Sequence, residues 1–260
     1  MYGNRFVRRV EELYDDPAKA AQRGVGQPFD PANFIVNEEG FVVSKASYRC
    51  GEDLINRETG AACSAPERPI TYVTCRQFNA DHSCAVATSV VPIGDATPDF
   101  RVGIHSSFRY KHLGVAALFD WNRGGNIYNG SRQWSFLGFR DPIFDQRGKS
   151  EVARKSEQYY AAFYNGLNPQ LYFVESGTYL KLREVALTYT LEPVQLRKIG
   201  LRGMSSLRVG LVGRNLFTFT KYSGEDPEVS SIYGDPFSRR IDWFTYPHFR
   251  TITGLVEIAF

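Results

Sequence analysis

The chain has 260 residues, enough for one large all-β domain or two small ones. Net charge is +3 with Lys and Arg dispersed, which excludes the clustered basic footprint of a nucleic-acid binder. Aromatic residues make up 14%, and no apolar run approaches the ~18 residues of a transmembrane helix, a test that says nothing of strand barrels.

Residues 1–10 lack an apolar core followed by a small-residue cleavage site and do not read as a signal peptide. Residues 1–98 show little sustained periodicity. A short helix is expected at 17–22 and short strands at 41–44 and 70–74, with Gly, Pro, Asn and Asp between them. All four cysteines, Cys50, Cys63, Cys75 and Cys84, lie in this region. There is no Cys-x-x-Cys pair and only His82 is nearby, so one or two disulfides fit better than a zinc site, with three pairings open. That pattern suits an oxidising compartment.

From Phe100 the pattern changes to a period of two. Phe100, Val102, Ile104, Ser106, Phe108 and Tyr110 alternate with Arg101, Gly103, His105, Ser107 and Arg109. A tight turn at Lys111-His112 leads into Leu113, Val115, Ala117, Phe119 and Trp121, alternating with Gly114, Ala116, Leu118 and Asp120. This is a hairpin with one apolar and one polar or small face. Residues 123–176 lose the alternation. A third strand spans 178–191, with Val185, Leu187, Tyr189 and Leu191 on its apolar phase; the same odd-numbered phase carries Lys181 and Arg183. In a fourth, Leu207, Val209, Leu211, Gly213, Phe217 and Phe219 oppose Arg208, Gly210, Arg214 and Thr218. A fifth, 251–260, keeps the alternation to its terminal Phe260.

The connections between these strands alternate in length: short at 111–112, long at 123–176, shorter at 192–204, long at 220–247. Outer-membrane barrels sort their loops this way, short on the periplasmic side and long outside. Strands of roughly 10–13 residues also suit a tilted membrane crossing, whereas soluble strands average about 5–6. The competing reading is a secreted, disulfide-containing β-sandwich that binds carbohydrate. It requires loops unsorted by length and a polar outer face on most strands.

Five blocks then match a family in order. Residues 93–100 (Ile-Gly-Asp-Ala-Thr-Pro-Asp-Phe), 107–113 with 124–129, 173–190, 213–228 and Tyr246-Pro247 with the terminal aromatic resemble SusC/RagA-type TonB-linked outer-membrane transporters. The resemblance covers 93–260, and residues 1–92 match loosely. It implies an all-β fold: C-terminal strands of a large transmembrane antiparallel β-barrel, an open curved sheet in this chain, with long extracellular loops. On this reading 1–98 is a partly structured extracellular loop region holding the cysteines, and 99–260 forms barrel strands and loops. The implied activity is uptake of oligosaccharides, peptides or similar large nutrients across the bacterial outer membrane. The implied partners are a SusD-like surface lipoprotein, the TonB-ExbB-ExbD complex, the barrel-assembly machinery, membrane lipid and lipopolysaccharide. The family's plug and TonB-contact segment have no counterpart here, so the chain is expected to be a C-terminal part that does not transport alone.

Residue by residue, Val256, Ile258 and Phe260 resemble a barrel-assembly signal. Arg101, His105, Arg109, Glu184, Arg208, Arg214 and Glu257 share the polar phase and are candidates to face a lumen, against the plainer reading of a polar wall. Lys181 and Arg183, on the apolar phase near the outer end, are candidates for lipopolysaccharide phosphate. Asp226 and Glu228 lack the ligand spacing of a calcium site. No nucleophile–His–acid set, phosphate-cradling Gly loop or zinc signature is present, so no catalytic residue, metal or cofactor is expected and the chain reads as no enzyme.

Overall fold

Five long strands carry the alternating half of the chain: β1 (Pro98–Tyr110), β2 (Leu113–Gly124), β3 (Tyr179–Leu191), β4 (Ser206–Thr220) and β5 (Thr251–Ala259). They form one antiparallel sheet in the order β5-β4-β3-β2-β1, so each strand pairs with its sequence neighbour and, among the described residues, the two outer strands keep a free edge. The computed structural model describes residues 1–13, 30–80, 84–164, 169–231 and 240–260. The helix expected at 17–22 and His82 lie outside them.

The chain divides into two compact units. One comprises Asp95–Ile127 and Glu175–Phe260 and holds the sheet; the other comprises Met1–Gly94 and Tyr128–Val174. The long connection between β2 and β3 therefore packs with the N-terminal region. Its turn-rich sequence contains two short α-helices, Gly130–Leu137 and Glu157–Ala161, capped by Asn129 and Ser156 side chains that accept backbone N–H bonds. The core of this unit is aromatic. Phe163 packs edge-on against Phe6 at 4.7 Å, Phe41 at 5.2 Å and Tyr172 at 4.7 Å. Lys155, with a buried side chain, donates to both oxygens of buried Glu67 at 2.8 and 2.9 Å. Disulfides join Cys50 to Cys63 and Cys75 to Cys84. The second clips the hairpin Thr74–Phe78/Cys84–Thr88. The strand expected at 70–74 thus begins later, at Thr74, and Thr71 makes a single bridge to Phe6.

Within the sheet, the turn of the β1-β2 hairpin is two residues long, and Lys111 takes φ 54° there, as tight hairpin turns require. The register puts Val102, Trp121, Leu180 and Phe219 in one cross-strand row and Tyr110, Leu113, Tyr189, Val209 and Val256 in another. Both rows lie on the apolar face. One irregularity changes the phase of β3. Leu182 pairs with Phe119 and Glu184 with Leu118, so two steps along β3 match one along β2. Arg183 is the extra residue of a β-bulge.

That bulge overturns the expectation for Lys181 and Arg183. Counting odd positions back from Val185 puts both on the apolar face. The inserted residue moves Tyr179 and Lys181 to the opposite face, beside Asp120. The two cations do not point toward a membrane.

Candidate functional site

The register gathers Arg101, His105, Arg109, Glu184, Arg208, Arg214 and Glu257 on the face of the sheet that carries Asp120. Two pairs are direct cross-strand neighbours. Arg214 donates to Glu184 at 2.8 Å and Arg208 to Glu257 at 3.0 Å. Both pairs are exposed, so each contributes about 0.2–1 kcal/mol. His105 and Arg109 sit opposite Leu118 and Gly114 without joining a larger cluster.

Arg101 belongs to a larger arrangement at the end of the sheet nearest the long connections. It donates to Asp120 at 2.6 and 3.1 Å and to Glu228 at 3.0 Å. Arg183 donates to both of these carboxylates as well. Lys181 Nζ donates to Asp226 at 2.6 Å and Glu228 at 2.8 Å, and its side chain is only 2% exposed. The Tyr179 hydroxyl donates to Glu228 at 2.7 Å. Three cations thus face three carboxylates. Asp226 and Glu228 come from the connection between β4 and β5, so these bonds tie that connection down onto the charged face. The Asp226 carboxylate also takes the Glu228 backbone N–H at 2.9 Å, which holds the two acids in one turn.

Burial alone raises the Asp226 carboxyl, but the Lys181 ammonium, the Glu228 N–H and His248 outweigh it and hold the group down at about 2. For Glu228, burial again raises, while Arg183, Lys181 and Tyr179 together bring it to about 2. Both carboxyls are depressed in the folded state. Their contribution to stability is therefore complete above their ordinary range near pH 4–4.5 and is lost as pH falls toward 2. We expect protease cleavage within residues 220–231 to appear on acidification across that window, while the five-strand sheet keeps its far-ultraviolet circular dichroism. Cleavage that is flat from pH 5 to pH 2 would show that these ion pairs do not anchor the connection.

Asp226, Glu228 and His248 offer ligand atoms within 4.8 Å of one another, a spacing that a metal ion could use. His248 Nδ1 lies 2.8 Å from Asp226. The ammonium of Lys181 already bridges the two carboxylates, and the group needs no further cation. Of this cluster, the sequence reading placed Arg101 and Asp120 on the polar phase. It missed the roles of Tyr179, Lys181 and Arg183; the signal that marks them is the adjacent Arg183-Glu184, across which the apolar residues shift from even positions (Leu180, Leu182) to odd ones (Val185, Leu187).

The other face is apolar and open. Phe219 is 64% exposed, Phe108 66% and Phe260 86%. Its aromatic residues fall at two levels. Phe100, Phe119, Trp121, Phe217 and Phe219 lie toward the long connections, with Phe100 packed edge-on against Trp121 at 4.9 Å. Phe108, Tyr110 and Tyr189 lie toward the short ones, as does Phe260 at the end of β5. Between them stand Val115, Ala117, Val185, Leu187, Leu211 and Ile252. From Phe100 to Tyr110 the strand rises about 33 Å, or about 23–25 Å along the membrane normal at a tilt of about 40–45°. This matches the apolar band of an outer-membrane barrel between its aromatic girdles.

A sheet that is charged on one face and banded with aromatics on the other is a wall of a transmembrane β-barrel. No family model matches the chain. It is 29% identical over 174 residues to TonB-dependent receptor P3 of Formosa agariphila, covering 65% of this chain and 17% of that protein. TonB-dependent receptor P26 of the same organism is 25% identical over 185 residues, covering 65% and 18%. Among solved structures, the RagAB peptide importer in its closed-closed state superimposes with a TM-score of 0.52 over 77% of this chain and 24% of that one. Identity there is 20%, so the likeness is one of fold. The chain is thus similar in sequence to TonB-dependent receptors and in fold to the RagAB peptide importer. The chain spans less than a fifth of the length of the receptors it matches.

Proposed function

We propose that the chain forms part of the wall of a TonB-dependent transporter in the bacterial outer membrane. The observation that carries this reading is the aliphatic band between two aromatic levels on one face, backed by charge on the other. The transporter imports oligosaccharides, peptides or similar large nutrients, and the charged face, from Arg101 to Glu257, borders its lumen. A SusD-like lipoprotein covers the outer side, and the TonB-ExbB-ExbD complex supplies energy through parts of the transporter beyond these residues. The unit containing the disulfides, with the long connections, lies outside the cell. Val256, Ile258 and Phe260 serve the barrel-assembly machinery as the recognition strand. A β-sandwich is disfavoured because it would bury the apolar face against a second sheet, whereas here Phe108, Leu211 and Phe219 lie exposed.

Single cysteines at consecutive positions of β3 test the wall directly. In intact outer membranes, a membrane-impermeant maleimide is expected to label Ala186→Cys and Thr188→Cys and to spare Val185→Cys and Leu187→Cys. Labelling without a period of two overturns the proposal. By itself the chain is expected not to transport, because a five-strand sheet with two free edges encloses no lumen. Proteoliposomes holding only these 260 residues should show no TonB-driven uptake of labelled oligosaccharide or peptide; uptake above the empty-liposome level overturns this point.

A further inference from the structure

At the loop end of the apolar face lies a groove of about 550 Å³, floored by Trp121, Leu180 and Phe219. Arg123 and Lys221 stand at its rim, each two residues beyond an apolar-face aromatic, Arg123 opposite Phe100 and Lys221 just past the end of β4. The Thr178 side of the groove adds hydroxyl character. Both cations are exposed, and neither forms an ion pair with a described residue. This differs from the other face, where Arg101, Lys181 and Arg183 are all taken up by carboxylates. Two cations without a carboxylate partner among the described residues, above an aromatic floor at the outer level of a lipid-facing band, complement a molecule with an acyl chain below and a phosphate above.

We propose that this groove binds the phosphorylated lipid anchor of lipopolysaccharide. An acyl chain lies along Trp121, Leu180 and Phe219, and a phosphate sits between Arg123 and Lys221. The proposal rests on the reading of the sheet as an outer-membrane wall. It replaces Lys181 and Arg183, which simple alternation would assign to this lipid, with two cations that face it.

The test uses the chain recovered from outer membranes in mild detergent. Trp121 is made the sole tryptophan by Trp134→Phe and Trp243→Phe, and its quenching by lipids with brominated acyl chains reports membrane burial. Retained lipopolysaccharide per protein is measured by native mass spectrometry. Arg123→Ala/Lys221→Ala is expected to lower retention at least tenfold, with Trp121 still quenched. Lys111→Ala/Lys198→Ala, which removes equal charge at the other end of the sheet, is expected to leave retention unchanged. Dephosphorylated lipid anchor is expected to bind the unsubstituted chain at least tenfold more weakly, and millimolar inorganic phosphate is expected not to displace the intact lipid. Equal retention in the two double variants, or displacement by free phosphate, overturns the site while persistent quenching leaves the wall standing. Absence of quenching in the chain with native Arg123 and Lys221 overturns the wall and the site together.

Discussion

Replacing Lys181 with Met is expected to destabilise the sheet unit by about 3–5 kcal/mol, because it leaves Asp226 and Glu228 as buried carboxylates without their ammonium. The loss is electrostatic rather than volumetric. Met nearly matches the Lys stem, so packing against β2 and β4 is kept. With three cations and three carboxylates in the cluster, Lys181→Met leaves one negative charge in excess. Lys181→Met/Asp226→Asn restores the balance and should recover more than half of the loss. Urea unfolding in detergent, followed for the single and double variants, separates these outcomes. A loss below about 1 kcal/mol for Lys181→Met would mean that the lysine is solvated and that the connection is not pinned by it. Equal losses in both variants would point to a packing role for the side chain.

The second large effect concerns the apolar face. Val185 lies midway between the two aromatic levels, paired with Ala117 on one side and Gly213 on the other. Val185→Arg is expected to oppose membrane insertion by about 2–4 kcal/mol, the cost of a guanidinium at the middle of a bilayer. Ala186→Arg, one residue along, projects onto the charged face and should cost less than about 1 kcal/mol. Refolding into lipid vesicles under a urea gradient measures both. The contrast is read in lipid vesicles, because a soluble sandwich also buries one face of its sheet and penalises Arg there. Equal and small penalties would place both faces in water.

The five strands, their apolar and polar faces, and the sorting of short from long connections were legible in the sequence. Alternation is a local property: successive side chains leave a strand on opposite sides whatever the rest of the chain does. Hence Arg214 with Glu184 and Arg208 with Glu257 fall on one face by alternation alone. The two-residue turn at Lys111 was equally local. The helices at Gly130–Leu137 and Glu157–Ala161 were not read, because both are short and are held by an aromatic core drawn from distant segments rather than by propensity.

The charged cluster shows where local reading ends. A single inserted residue, Arg183, reverses the phase of everything N-terminal to it in β3, and its one local trace is the shift of apolar residues from Leu180 and Leu182 to Val185 and Leu187. Its position is set by what the bulge achieves: it delivers Lys181 and Arg183 to carboxylates that lie elsewhere in the chain, Asp120 on β2 and Asp226 and Glu228 beyond β4. That the chain makes long, two-faced strands follows from the order of neighbouring side chains. Which cations meet which carboxylates was decided by tertiary structure alone, since buried charge must find its partner in space and not along the chain.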